Sequence, residues 1–114
     1  GNDGPAAPPQ YPASYTGVIA ITAVDSRGRA LPEAGRARHI DFAAPGADMA
    51  AALPRGGYAR VRGTSFAAPL AAARLLAVGS PARLAKEARP GKGRVGRGIV
   101  CGACRIDPDS VGAK

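Results

Sequence analysis

Short apolar blocks alternate with polar, turn-rich stretches along this chain, and the blocks predict a mixed α/β fold. Residues 18–24, "VIAITAV", form an unbroken run rich in β-branched residues, flanked by Gly17 and "DSRGR". That length and those flanks predict a strand buried on both faces. "HIDFAAPG", 39–46, reads as a second short strand stopped by Pro45-Gly46. "ADMAAAL" reads as a short turn or strand closed by "PRGG", and "YARVRG", 58–63, alternates loosely. Ser65–Val78 is the main helix, with Thr64 or Ser65 as its cap. Phe66, Leu70, Leu75, Leu76 and Val78 lie among alanines, and only Arg74 interrupts them. A helix apolar nearly all round predicts burial between other elements. "GSP" ends it, "PARLAKEAR" gives a short second helix before Pro90, and "GRGIV" gives a last short strand. Residues 1–17 and the connection 25–38 read as loop.

Composition tempers this picture. The chain has 114 residues, one modest domain, and 46% are hydrophobic. Alanine accounts for 26 residues, so the core is thinner than that percentage implies. No basic start followed by an apolar run marks a signal peptide. No apolar window is long enough for a membrane span. An opening inside a Gly-Asn-Asp turn reads as a piece of something longer.

Net charge is +8. The densest basic stretch holds Arg83, Lys86, Arg89, Lys92, Arg94, Arg97 and Arg105 against Glu87. It could meet phosphates, but no aromatic residue is interleaved for base stacking and no nucleic-acid module is legible. A solvated arginine-rich surface is the plainer reading. Cys101 and Cys104 form one CxxC, two ligands where a structural zinc needs four. The motif lacks the strand-then-helix context of a thioredoxin-type site. A local disulfide or two plain thiols remain. No cofactor and no metal centre is expected.

The turn into the main helix, "RVRGTSFAAPL", carries the candidate chemistry. A serine in the first helical turn sits beside free N–H groups and a partial positive charge, which suit a developing oxyanion. Gly63 lets the backbone turn tightly. Pro69 removes the helical partner of the Ser65 carbonyl, a disruption that a mere cap would not call for. Helix-capping and nucleophilic roles for Ser65 both fit these residues.

"GTSFAAP" closely resembles the nucleophile motif of the subtilisin-like serine proteases, the subtilases. Other parts follow in family order. "GNDG" resembles the oxyanion-hole segment, and "YPASYTGVIAITAVDSRG" the Tyr-Pro loop with the strand ending in Val-Asp. "DFAAPG", "GGYARVRGTS" and "GRGIV" resemble later segments. The similarity covers roughly residues 1–100. It implies a partial three-layer α/β domain with a mainly parallel sheet and a buried nucleophile helix. Residues 1–100 would be the C-terminal part of the catalytic domain, and 101–114 a basic, loose C-terminal tail.

Residue by residue, the resemblance implies that Ser65 attacks the peptide carbonyl. Asn2 would donate its side-chain amide to the oxyanion beside the Ser65 backbone N–H. Such a donor contributes about a hundredfold to a thousandfold in rate, a magnitude taken from this same family. Gly1, Asp3, Gly63 and Thr64 would contact substrate. His39 and Asp41 tempt one to complete a triad with Ser65. Their i, i+2 spacing on one strand rarely brings a carboxylate edge-on to the imidazole. Family order is Asp, His, Ser, with both partners before the oxyanion Asn. The base and its orienting carboxylate would therefore precede Gly1. Asp41 matches a position near a weak monovalent-cation site, with carbonyls of Ala13, Tyr15 and Val18. Leu70 departs from the family, where many members have His.

The expected function is peptide-bond hydrolysis through an acyl-enzyme on Ser65, in a fragment lacking the triad Asp and His and inactive alone. Its partners would be a peptide or protein substrate and the upstream half of its own catalytic domain, with no nucleic acid and no membrane span. The resemblance implies a secreted or periplasmic location. A catalytically silent subtilase-like binding module is the alternative, and a basic nucleic-acid-binding protein is a further one.

Overall fold

A computed structural model describes residues 1–35 and 38–114; residues 36 and 37, within the connection expected at 25–38, lie outside the described residues. Its centre is a parallel pair, β1 (Ile21–Val24) and β2 (Phe42–Pro45), in register from Ile21↔Phe42 to Val24↔Pro45. Both strands come from the predicted apolar runs. β2 is buried at every position, so it is covered on both faces, as a continuous apolar run requires. The "GRGIV" segment lies along the other edge of β2. Ala43 N–H donates to the Gly98 carbonyl (2.9 Å) and Val100 N–H to the Ala43 carbonyl (2.8 Å). It forms an isolated parallel bridge, Ala43↔Ile99, and not a full strand.

The helix α1 (Thr64–Val78) crosses one face of this sheet, and α2 (Pro81–Glu87) packs beside it. Alanine permits the close approach. Ala23, Ala44, Ala47, Ala67 and Ala71 form a buried seam with Phe42, Leu84 and Val100. Small side chains on both elements let the helix backbone settle low on the sheet, which partly compensates for the small area each buries. The opposite face is covered by irregular chain: Val24, Ala43 and Val95 pack with Ala30 and Ile99. α1 ends where its sequence says, at Gly79 in the left-handed conformation, whose N–H donates to the Leu75 carbonyl (2.8 Å). Ser80 then caps α2 by accepting from Arg83 N–H, with Pro81 in the first helical position.

Two expectations change. α1 is buried along one face only: Ala68, Pro69, Ala72, Ala73, Leu76 and Ala77 are exposed, and Leu76 is 85% exposed. Its periodicity lacks a polar face, yet among the described residues nothing covers the second side. The C-terminal residues are not a loose tail. They form two short 3-10 turns, Gly102–Cys104 and Pro108–Val111, with Cys101 and Cys104 joined as a disulfide. They dock on an antiparallel hairpin, β3 (Met49–Ala52) with β4 (Tyr58–Val61). Ala50 N–H donates to the Ile106 carbonyl (3.0 Å), and Arg60 and Lys114 bond through their main chains (3.2 Å). Arg60 also pairs with Asp109 (2.5 Å). Nor is this segment basic, since Asp107 and Asp109 balance Arg105 and Lys114.

Candidate active site

The sheet and hairpin together place the turn before α1. Gly46, just after β2, links both: its N–H donates to the Val24 carbonyl (2.9 Å), and its carbonyl accepts from Gly63 N–H (2.7 Å). A Cβ at Gly46 would lie 2.5 Å from the Ala23 Cβ and 2.7 Å from the Gly63 carbonyl oxygen, so no side chain fits. Gly63 itself has φ of 140°, a conformation that other residues rarely adopt. Glycine at both positions thus fixes where the helix begins.

Gly63 is the residue before the first helical turn, and neither Thr64 nor Ser65 caps the helix through its own side chain. The cap comes from a distance. Asn2 Oδ1 accepts from Thr64 N–H at 3.1 Å, across 62 positions of sequence. Its Cγ amide group also lies against Gly63, within van der Waals range of where a Cβ would stand. Holding the Asn2 oxygen on Thr64 orients the amide and leaves Nδ2 as its donor end. Ser65 is exposed, while Thr64 beside it is buried. The Ser65 N–H belongs to the first helical turn, where amides lack intrahelical acceptors. One exposed hydroxyl, one oriented amide and the Ser65 N–H therefore meet at this corner, the Thr64 and Phe66 N–H groups being taken by Asn2 and by the Gly63 carbonyl. That set can attack a carbonyl and hold the resulting oxyanion.

The other predicted residues fall as follows. Gly1 and Asp3 line a cavity with Gln10, Ala13, Thr22 and His39, and Gln10 donates to the Asp3 carboxylate. Gly63 and Thr64 sit at the turn into α1 and do not line that cavity. His39 Nε2 lies 3.3 Å from Ser14 Oγ. Asp41 Oδ2 accepts from Ala20 N–H (2.7 Å), tying the start of β2 to β1. Neither is bonded to Ser65. Asp41 is thus committed to the main chain, and the Tyr15 carbonyl accepts from Val18 N–H (3.2 Å). Among the described residues no group of three or more His, Cys, Asp or Glu could hold a metal.

Sequence reasoning missed the ion pair of Arg62 with Glu33. Arg62 Nε and Nη2 meet the two Glu33 oxygens at 2.5 and 3.0 Å. The guanidinium holds the Glu33 carboxyl below its ordinary value. The only available signal was an arginine directly before Gly63, and nothing marked its partner 29 positions earlier.

The profile of the subtilase family matches residues 1–84. The chain belongs to the subtilase family. It is 36% identical over 73 residues to the minor extracellular protease Epr of Bacillus subtilis (strain 168), covering 64% of this chain and 11% of that protein. It is 45% identical over 60 residues to the major intracellular serine protease of the same organism, covering 52% of this chain and 18% of that one. Among solved structures, the prenylagaramide maturation protease PagA superposes with a TM-score of 0.62 at 25% identity, covering 79% of this chain and 42% of that one. The self-cleaved protease domain of PatA gives 0.61 at 30% identity, covering 82% and 42%. The fold is thus that of a partial subtilisin-like α/β domain. The chain spans under a fifth of the length of these two curated relatives. They include one named extracellular and one named intracellular. Among the described residues no helix is long and apolar enough to cross a membrane.

Proposed function

We propose that this chain is the C-terminal part of a subtilase catalytic domain, with Ser65 its nucleophile in peptide-bond hydrolysis. The observation that carries the reading is the Asn2 Oδ1 to Thr64 N–H bond, which sets an amide donor beside an exposed serine at a helix start. Ser65 Oγ attacks the scissile carbonyl and gives its proton to a histidine supplied by residues before Gly1. Asn2 Nδ2 and the Ser65 N–H donate to the tetrahedral oxyanion. The leaving amine takes the proton, and water then releases the acyl group. Gly1 and Asp3 border the substrate side chain, and Gly63 and Thr64 the substrate backbone. The exposed face of α1 is covered by the upstream half of the domain.

Export to the cell exterior or the periplasm belongs to this reading and rests on the extracellular relative; cell fractionation tests it. No nucleic-acid role is proposed. Arg83 reaches the Val78 carbonyl (3.4 Å), Arg97 stacks over the Phe42 ring and Arg105 donates to the Asp48 carbonyl, so three cations of the basic stretch serve the chain itself.

A fluorophosphonate probe tests the nucleophile. The complete enzyme should label stoichiometrically within minutes, its Ser65→Ala variant not at all, and the isolated chain only slowly. Rapid labelling of the isolated chain would show that no upstream base is needed. Unchanged labelling of the Ser65→Ala enzyme would remove Ser65 from the chemistry.

A further inference from the structure

Residues 1–4 contain no helix or strand, so their position relative to Ser65 depends on a few cross-links. Gln10, in the same loop, donates to the Asp3 carboxylate, and two direct hydrogen bonds reach more distant parts of the chain. Asn2 Oδ1 accepts from Thr64 N–H (3.1 Å), and Gly4 N–H donates to the Glu33 carbonyl (2.7 Å). Glu33 then faces the other way as well, because its carboxylate grips Arg62 through two bonds. Arg62 lies two residues before Thr64. The links close a ring: Asn2 to Thr64, back along the chain to Arg62, across to Glu33, then to Gly4 and Asn2 again. The loop that carries Glu33 is itself anchored. Leu31 and Ala34 are buried, and Leu31 N–H donates to the Ala23 carbonyl of β1 (3.0 Å).

We propose that Arg62 and Glu33 are positioning residues, whose ion pair fixes the distance between the Asn2 amide and the Ser65 turn. The proposal rests on the assignment of Ser65 and Asn2 given above. Most exposed ion pairs contribute little, because two mobile side chains must be ordered in water. This pair differs in two respects. Its contact is bidentate, which defines an orientation as well as a distance. Its carboxylate belongs to the same residue whose carbonyl holds the oxyanion segment. Releasing Arg62 therefore cuts the tie between that anchored loop and the residues leading into Thr64, and lets Asn2 shift relative to the place where the oxyanion forms. Donors of this kind act in the transition state more than in the ground state, so the loss belongs in kcat.

The test uses the complete enzyme with a peptide substrate. Arg62→Ala and Glu33→Gln should each lower kcat about fivefold, equivalent to about 1 kcal/mol, with KM within about twofold of the parent. The exchanged pair, Arg62→Glu with Glu33→Arg, should recover most of that loss. In an Asn2→Ala background, which has already lost the donor, Arg62→Ala should cost less than about twofold. Three results overturn the proposal: an unchanged kcat in both single variants, a loss confined to KM, or full additivity with Asn2→Ala. Thermal melting of each variant shows whether it is folded, and an unfolded single variant passes the decision to the exchanged pair. The assignment itself fails separately. If Ser65→Ala or Asn2→Ala leaves kcat intact, the site is wrong and the positioning role falls with it. If both are crippled and Arg62→Ala is not, only the positioning role falls.

Discussion

The two faces of α1 are built from nearly the same residues and meet opposite surroundings. On the inner face, Ala67 and Ala71 are at most 2% exposed against Ala23, Ala44 and Ala47. On the outer face, Ala68, Ala72, Ala73 and Ala77 stand open, with Leu76 at 85% exposed. Beside it an open cleft of about 270 Å³ is lined by Ile19, Ile21, Ala68, Ala72, Leu75 and Leu84. Polar residues would ordinarily occupy a solvent-facing helix surface. An apolar stripe with no polar alternative suits a helix meant to be covered twice. The inner face teaches what holds this chain together, and the outer face how much apolar surface is left open beside it.

The largest effect should separate the two faces. Leu84 is fully buried under the inner seam, so Leu84→Ala removes side-chain contacts and leaves a cavity. It should cost about 2–5 kcal/mol. Leu76→Ala deletes the same atoms in water and should stay within about 0.5 kcal/mol. Urea melts of the isolated chain check both. Equal costs would mean that the outer face is covered in solution, by a second copy of the chain or another partner. In the complete enzyme, Leu76→Ala should become the costlier of its two contexts.

A somewhat smaller effect probes the inner seam where it meets the site. Gly46→Ala sets a methyl 2.5 Å from the Ala23 Cβ and 2.7 Å from the Gly63 carbonyl oxygen. Either β1 or the turn into α1 must move. Overpacking of this kind costs about 1–3 kcal/mol. Activity of the complete enzyme should fall further than stability predicts, because the displaced atom belongs to the residue before Thr64. Urea melts and peptide hydrolysis on the same variant separate the two losses. A stability loss with unchanged kcat would place the adjustment in β1.

How much of this was legible in the sequence depended on the kind of signal. β1 came from an unbroken apolar run, because a strand covered on both faces has no polar positions to interrupt it, and β2 from a short segment stopped by Pro45-Gly46. α1 and its end at Gly79 came from composition and a glycine stop. The partial subtilisin-like fold was legible because its motifs are local strings. The one-sided burial of α1 was not, since an all-apolar helix does not say whether its second cover belongs to the same chain. Docking of residues 101–114 escaped notice because main-chain bonds such as Ala50 to Ile106 leave no mark on residue type. At the site, Ser65 and Asn2 could be named from motifs, but the Thr64 cap and the Arg62 pair join residues 62 and 29 positions apart. One arginine among many gives no hint of its partner.

The smallest effect contrasts the uncharged inner seam with the charged rim around the site, and pH distinguishes them. Three rim carboxylates are held below their ordinary values. Partial burial pushes Asp25 up, but the N–H groups of Arg29 and Arg27 and the Arg29 guanidinium outweigh it. The Arg62 guanidinium is the main cause at Glu33. At Asp48 it is the Ser26 N–H, followed by the Ser26 hydroxyl. A lowered folded-state value means that the unfolded chain binds protons first as pH falls, so stability rises with pH in that range. The contribution is complete above the ordinary values, 3.8 for Asp and 4.5 for Glu, and disappears as pH drops through the lowered folded values. The urea midpoint should therefore be flat from about pH 7 to about pH 5 and decline below about pH 4. Exposure keeps the decline modest. The seam of Ala23, Ala44, Ala67 and Ala71 has no titratable group, so acid should loosen the rim first. Hydrogen exchange near pH 4, corrected for intrinsic rates, should lose protection at Gly4 and Thr64 before Ala71 and Leu75. Simultaneous loss at all four amides would mean that the rim and the seam open as one unit.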